Sequence, residues 1–291
     1  MAELIKSLYS ASFYIWNNLI SVAMTLFQTS PKSAAGGSSY GTISGIYNSI
    51  ASATVPIATV FFIIALYKTV IQSPPEQQAT RFMMDAVKYC IILFISANLW
   101  QIMGWVIDFS DGITSAIGAS GSYELTMNST LSSCIDKSLT FPDFSLTSDC
   151  IKTYLEKVGC FLIFLISGST MIFVMVASCI SIISSAYQRI LKPLIILPFS
   201  GIAVALGAGG HDTSRSLWQY AKTFLGYCLS GALMIICIKI GYTLCTTLVN
   251  FGLEGQSDIG KCILITVQAL VTPVVIAGLV KGCDHMVHQM F

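Results

Sequence analysis

The sequence is poor in charged residues. Asp, Glu, Lys and Arg make up 10% of its 291 residues, compared with roughly 25% in ordinary globular proteins. A water-soluble surface cannot be covered with so few charges. Neither sign is in excess, because 15 basic and 14 acidic residues leave a net charge of +1. This balance excludes a nucleic-acid-binding domain that depends on a basic surface.

Apolar residues dominate instead. Hydrophobic residues make up 54% of the chain and the mean hydropathy is +0.75, which excludes an intrinsically disordered protein. About 20 helical residues cross roughly 30 Å of hydrocarbon, and five apolar runs are long enough: residues 49–71, 86–107, 159–184, 217–251 and 259–280. Because the period-2 alternation of an outer-membrane strand is absent, we expect helices. The predicted fold class is all-α, a polytopic helical membrane protein with about five transmembrane helices. The first two helices occupy residues 49–107, and a C-terminal membrane domain occupies residues 159–291.

An N-terminal amphipathic helix is predicted over residues 1–30. Polar side chains recur there every three or four positions and form one stripe along the helix: Ser7, Ser10, Tyr14, Asn17, Ser21, Thr25 and Gln28. The stripe favours a helix at the membrane interface or against partner helices, because lipid would tolerate it poorly. A sixth, buried span is the alternative. A flexible linker rich in Gly and Ser is expected at residues 31–48.

Helix breakers interrupt residues 191–210. The segment contains Pro193, Pro198, Gly201, Gly207, Gly209 and Gly210, which break a helix in several places. Non-helical backbone at membrane depth is tolerated only against protein or a water-filled cavity. A re-entrant segment is therefore predicted here, and a kinked but ordinary span is the alternative.

The distribution of cations predicts an orientation. If the five runs span the membrane, eight cations fall in short connections on one face: Lys68, Arg81, Lys88, Arg189, Lys192, Arg215, Lys222 and Lys281. Six fall in longer connections on the other face, which includes an acidic loop at residues 108–158. The positive-inside rule then places this loop and the N-terminus outside and the C-terminus in the cytoplasm.

Two of the ten cysteines lie in the exported loop. A disulfide between Cys134 and Cys150 would close a loop of about 15 residues and contribute roughly 3 kcal/mol in an oxidising exterior; two free thiols are the alternative. No CxxC or zinc-ribbon spacing occurs. His285 and His288, one helical turn apart, could bind a metal, but two such residues at a helix end are more typical of a solvated tail. No metal or other cofactor is therefore predicted.

No catalytic site is predicted either. Residues 118–121 spell the short string found around the nucleophile of rhomboid proteases, but Ser120 lies in the acidic loop and the three histidines lie elsewhere. We therefore predict that the chain is not an enzyme.

Lys239 is the candidate functional residue within a span. An uncompensated lysine near the middle of a span costs at least about 2.5–3.5 kcal/mol, so Lys239 is predicted to contact another subunit or to line a pathway. The alternative is a shifted or tilted helix that lets its ammonium reach the interface.

Residues 187–226 carry a family resemblance. A basic turn precedes Pro198, a small apolar run containing Gly201 continues to Leu206, and a helix start with Arg215 and Trp218 follows. This pattern resembles the TrbL-like family, the polytopic inner-membrane subunit of conjugation and type IV secretion machines, sixth in the VirB series. That family's plan of an outside N-terminus, five spans, a large exported loop after the second span and an inside C-terminus is similar to the plan reached above.

The resemblance implies a homo-oligomeric ring in the bacterial inner membrane that supports pilus assembly and substrate translocation. Its partners would be the minor pilin, the core scaffold and the secretion ATPase, besides membrane lipid, without direct sequence-specific binding of nucleic acid. Pro198, Arg215 and Trp218 stand at matching positions. Trp218 would anchor the fourth span at the cytoplasmic interface, and Arg215 would lie among the lipid headgroups.

A secondary transporter or channel for a small solute is the alternative function. Its site would be the broken segment at residues 191–210. Such proteins often contain an inverted repeat, but no second segment broken by both proline and glycine is visible in the other half of the sequence.

Overall fold

Helices make up the regular structure of the part that the computed structural model describes, which is residues 2–72, 74–118, 124–127, 129–140, 148–209, 211–251 and 258–290. The α-helices are α1 (Ala2–Gln28), α2 (Ser38–Gln72), α3 (Pro75–Gly118), α4 (Ser129–Leu139), α5 (Ser148–Ile196), α6 (Ser200–Leu206), α7 (His211–Phe251) and α8 (Asp258–Met290). Short 3-10 turns lie at Ala34–Gly37, Leu197–Phe199 and Gly207–Gly209. The predicted all-α class is confirmed.

Among the described residues, five helical stretches are long and apolar enough to cross a membrane: Ser38–Ile71, Pro75–Gly118, Thr153–Gly209, Ser214–Leu244 and Thr266–Cys283. Each overlaps one of the five predicted runs. Large apolar side chains on these stretches point outward; Phe94 and Phe173, for example, are exposed. Such a surface suits lipid rather than water. The chain is therefore a multi-pass membrane protein, as predicted.

The chain folds into two compact units. The first unit comprises Met1–Leu26, Gly118–Ala186 and Leu233–Asp284. The second unit comprises Phe27–Ile117, Tyr187–Ala232 and His285–Phe291. Each unit combines segments that are distant in the sequence, so its packing depends on long-range contacts.

In the first unit, α1 buries one face and exposes the other. Tyr9, Trp16 and Ile20 are buried, and the Tyr9 hydroxyl lies 2.7 Å from Ser167 Oγ on α5. The predicted polar stripe lies on the exposed face, except that Asn17 is half-buried. The amphipathic pattern is thus present, and its apolar face packs within the chain.

Two further contacts join α1 to the segment between α3 and α5. Lys6 Nζ lies 2.6 Å from Asp136 Oδ1 on α4. The Asn17 side-chain amide donates to the carbonyl oxygen of Leu125 and accepts from its backbone N–H, both at 2.9 Å. This reciprocal pair satisfies the backbone of a residue that belongs to no helix.

In the second unit, α2 packs on α3 and α6. Trp100 of α3 contacts both Tyr40 and Tyr47 of α2, with ring centroids 4.8 and 5.0 Å apart. Gly201 of α6 faces Thr54 of α2, and a Cβ at position 201 would overlap Thr54 Oγ1. The absence of a side chain at Gly201 therefore allows the two helices to approach closely.

The predicted linker at residues 31–48 is too long, because α2 begins at Ser38. Tyr40 and Tyr47 lie two turns apart on one face of α2, and both rings contact Trp100. This packing offsets the helix-propensity cost of the glycines in the first part of α2, about 1 kcal/mol each relative to alanine.

The predicted loop at residues 108–158 is also too long. α3 continues to Gly118 and α5 already begins at Ser148, with α4 between them. Ser110 and Thr114 lie one turn apart on the buried face of α3, so the end of this helix is held by packing although its acidic residues are typical of a loop.

The predicted helix breaks are present within residues 191–210. α5 passes through Pro193 before it ends. The first break is the turn containing Pro198, and the second is Gly207–Gly209. A Cβ at Gly207 would lie 2.8 Å from Leu217 Cδ2, so the second turn packs tightly on α7. Re-entry of this segment from one face of the membrane stays a prediction.

Candidate functional site

A buried charge lies in the second unit. Arg189 on α5 is only 2% exposed. The sequence predicted Arg189 in a short connection after an apolar run that ends at residue 184. In the structure α5 continues without interruption to Ile196, and this continuation brings Arg189 into the core.

Four acceptors surround the guanidinium of Arg189. Its Nη1 donates to the carbonyl oxygen of Phe27 and, at 3.3 Å, to that of Thr29. Its Nη2 lies 3.2 Å from Asp111 Oδ1 and 3.5 Å from Thr114 Oγ1, both on α3. A buried charge is tolerated when it is paired and hydrogen-bonded, and these contacts meet that condition.

Gly231 on α7 leaves room for the arginine side chain. A Cβ at position 231 would overlap Nε of Arg189, so a larger residue would displace the guanidinium. The neighbours Ser230 and Ala232 are also small and buried. Gly231 is therefore the position on α7 that accommodates the long side chain.

A second ion pair lies near the end of α3. Lys32 Nζ is 2.7 Å from Asp108 Oδ2. Asp108 precedes Asp111 by three residues, so the two carboxylates lie on neighbouring positions of one helix face. The positive charges of Lys32 and Arg189 balance these two negative charges, and the end of α3 therefore carries no net charge from this group.

We call one set of groups the arginine centre: Arg189, Asp111, Thr114, Gly231 and the carbonyl groups of Phe27 and Thr29. The centre connects the end of α1 with α3, α5 and α7. Its members supply fixed charges and hydrogen bonds, but this set pairs no nucleophile with a base. These contacts hold the four helices in register.

The sequence pattern did not reveal this centre. Asp111 and Arg189 are 78 residues apart, and the sequence predicted them on opposite faces of the membrane. An ion pair of 3.2 Å requires both at one depth, so one of these two assignments is wrong. Gly231, which lies inside an apolar run between two small residues, was the available signal for a close approach.

The predicted motif residues lie in the second unit. Pro198 and Gly201 are buried in and after the first helix break. Arg215 and Trp218 are exposed near the start of α7, and Lys222 Nζ lies 5.8 Å from the centre of the Trp218 ring. Lys239 is half-buried and belongs to the first unit, so the structure does not group it with the other four. Its subunit-contact role stays a prediction.

The predicted disulfide is not formed in this structure. Cys134 on α4 is a buried free thiol, and the side chain of Cys150 lies outside the described residues. The pairing of these cysteines under oxidising conditions stays a prediction.

The remaining motif residues are not among the described side chains. Ser120 lies outside the described residues, and so do the side chains of His285 and His288. Among the side chains that are described, no group of three His, Cys, Asp or Glu residues could hold a metal ion.

Comparisons with known proteins add no relative. No protein-family model matches the chain, and neither a curated protein nor a solved structure matches it. The resemblance of residues 187–226 to a known family therefore depends on the motif itself.

Proposed function

We propose that this chain is an inner-membrane platform subunit of a type IV secretion machine of the TrbL-like kind, which supports pilus assembly and substrate translocation. The observation that carries the proposal is the motif at residues 187–226: a proline-led apolar segment followed by a helix start with Arg215 and Trp218. The structure supports it by burying Pro198 and Gly201, which lie in the segment that connects α5 to α7, and by exposing Arg215 and Trp218.

An exposed Arg215 and Trp218 suit contacts outside the chain. Trp218 is 66% exposed, with the Lys222 ammonium over its ring. A tryptophan with a neighbouring cation is typical of the boundary between hydrocarbon and headgroups. In the proposal, the start of α7 lies at the cytoplasmic interface, where it contacts lipid and neighbouring subunits of a homo-oligomeric ring.

The segment between α3 and α5 is the proposed contact for periplasmic partners. α4 is held to α1 by the ion pair between Lys6 and Asp136, and Asn17 holds Leu125. In the proposal the N-terminal helix and this segment form one exported surface for the minor pilin and the core scaffold, and the C-terminus is cytoplasmic.

Crosslinking and mass spectrometry of the full chain test the proposal. The chain is purified from its native membrane in mild detergent through a C-terminal tag after light crosslinking. We expect recovery of a secretion ATPase, scaffold protein or pilin, with crosslinks in residues 124–140. Trp218→Ala should reduce this recovery, whereas Trp105→Ala, which removes an equally exposed tryptophan from α3, should not. A monodisperse particle without partners would contradict the proposal.

A solute transporter is the second candidate function, and the buried pair of Arg189 and Asp111 favours it. Charged residues inside membrane spans commonly mark ion or substrate pathways. The two candidate functions predict different behaviour of the purified chain: a transporter is active alone, without secretion subunits. Solute uptake into vesicles that contain only this chain would support the transporter.

A further inference from the structure

Two cysteine thiols meet where α7 packs on α8 in the first unit. Cys237 Sγ and Cys283 Sγ lie 2.9 Å apart, compared with about 2.05 Å in a disulfide bond. Cys283 is fully buried and Cys237 is half-buried. The two residues are 46 positions apart, so the packing of the two helices, not the local sequence, brings the thiols together.

The register of the two helices keeps the thiols at this contact. Gly241 follows Cys237 by four residues, and Leu279 precedes Cys283 by four, so each pair occupies one helix face. A Cβ at Gly241 would lie 3.3 Å from Leu279 Cδ1 and 3.2 Å from Ile276 Cγ1. The helices thus run antiparallel with a tight contact at Gly241, one turn from the thiols, and a sulfur–sulfur bond requires little movement.

We propose that Cys237 and Cys283 form a redox-active dithiol that closes to a disulfide linking α7 to α8. The oxidant is a disulfide compound, small or protein-borne. One cysteine thiolate attacks a sulfur of this oxidant, the oxidant's S–S bond breaks, and one half leaves as a thiolate that takes up the released proton. The second cysteine then attacks the mixed disulfide and releases the other half as a thiol. Two protein thiols are oxidised, and one oxidant disulfide is reduced to two thiols.

The proposal is tested on the full chain in detergent. The protein is reduced with dithiothreitol, freed of the reductant, and incubated with oxidised glutathione in the presence of EDTA. It is then denatured, treated with a maleimide and digested without reduction. We expect a linked peptide that contains both Cys237 and Cys283, a loss of maleimide label at both positions, and recovery of the label after a second reduction.

Single serine variants provide the matched controls. Cys237→Ser and Cys283→Ser should each abolish the linked peptide, and the variant that keeps the attacking cysteine should stop at its mixed disulfide with glutathione. Cys228→Ser removes another buried thiol from α7, in the second unit, and should leave the linked peptide unchanged. Full maleimide labelling of both cysteines after oxidised glutathione would overturn the proposal, and so would glutathione adducts on each without a link between them.

Discussion

The stability of the second unit depends on how the charge of Arg189 is compensated. The guanidinium contacts two backbone carbonyls, a hydroxyl and one carboxylate oxygen, and Arg189 is almost fully buried. Removing a single partner from such a group costs more than removing the whole interaction, because the remaining charge stays buried.

Single substitutions in the ion pair should therefore be more damaging than the double substitution. We expect Asp111→Asn and Arg189→Gln each to destabilise the protein by about 3–5 kcal/mol, and the double variant to lose less than the sum of the two. The measurement is thermal unfolding of each purified variant in the same detergent. Strictly additive losses would contradict the pairing.

Gly231→Ala should destabilise the protein because its Cβ would overlap Arg189 Nε. Overpacking of this kind typically costs about 1–3 kcal/mol. Gly112→Ala is the matched control: it lies on α3 beside Asp111, it is exposed, and nothing lies within 4 Å of its added Cβ. Thermal unfolding should show a loss for Gly231→Ala, and an unchanged or raised midpoint for Gly112→Ala.

At the level of helices, the close approach of α6 to α2 depends on Gly201. Thr54 Oγ1 faces this glycine and is buried without a hydrogen-bond partner among the described residues. The contact between Gly201 and Thr54 therefore depends on steric fit, because no hydrogen bond of the threonine hydroxyl among the described residues adds to it.

Gly201→Ala should cost about 1–3 kcal/mol by overpacking against Thr54. Thr54→Ala removes the overlapping atom, so the double variant should recover most of that loss. The coupling energy from the four unfolding midpoints measures the contact. Equal effects of Gly201→Ala with and without Thr54→Ala would show that α6 does not pack on α2 at this point.

The contact between α1 and Leu125 depends on one side chain. Asn17→Ala removes two hydrogen bonds, each with a net value of about 0.5–1.5 kcal/mol, and should increase proteolysis at residues 124–127. Asn18→Ala is the matched control: Asn18 is the adjacent asparagine, it is exposed, and its substitution should leave the cleavage rate unchanged. Limited proteolysis of the two variants in detergent provides the comparison.

At the level of the whole molecule, hydropathy was sufficient to predict the five spans, because lipid-crossing helices need long apolar runs whatever their tertiary contacts. The break at Pro198 and the polar stripe of α1 were also predictable, since both follow from local chemistry. The arginine centre was not, because the partners of Arg189 come from α1 and α3, and no local pattern specifies a pairing over 78 residues.

The helix ends were the least predictable part of the fold. Asp108 and Asp111 made the end of α3 typical of an exported loop, but ion pairs with Lys32 and Arg189 keep it helical and packed. The acidic residues therefore led to an incorrect prediction of where α3 ends, because long-range ion pairs compensate their charge. If Arg189 is the misassigned residue of the pair, the cytoplasmic set keeps seven cations against six for the predicted orientation.

A protease-cleavable tag tests the orientation directly. A tag inserted after Thr126, which is exposed, should be cleaved in spheroplasts, whereas a C-terminal tag should be cleaved only in inverted membrane vesicles. The reverse pattern would show that the positive-inside rule misassigned the chain. Because Asp136 of α4 contacts Lys6 near the start of α1, the first tag also reports the side on which α1 begins.

The ion pair of the arginine centre has a consequence for biosynthesis. Arg189 is synthesised 78 residues after Asp111, which at about 5–20 residues per second takes roughly 4–16 s. During this interval the carboxylate of the new α3 has no guanidinium, and lipid does not readily accept such a group alone. The end of α3 must therefore wait in water or within the insertion machinery until α5 emerges from the ribosome. The buried ion pair thus sets an order of events during biosynthesis: α3 is synthesised before α5, but the end of α3 reaches its final position only after Arg189 has been made.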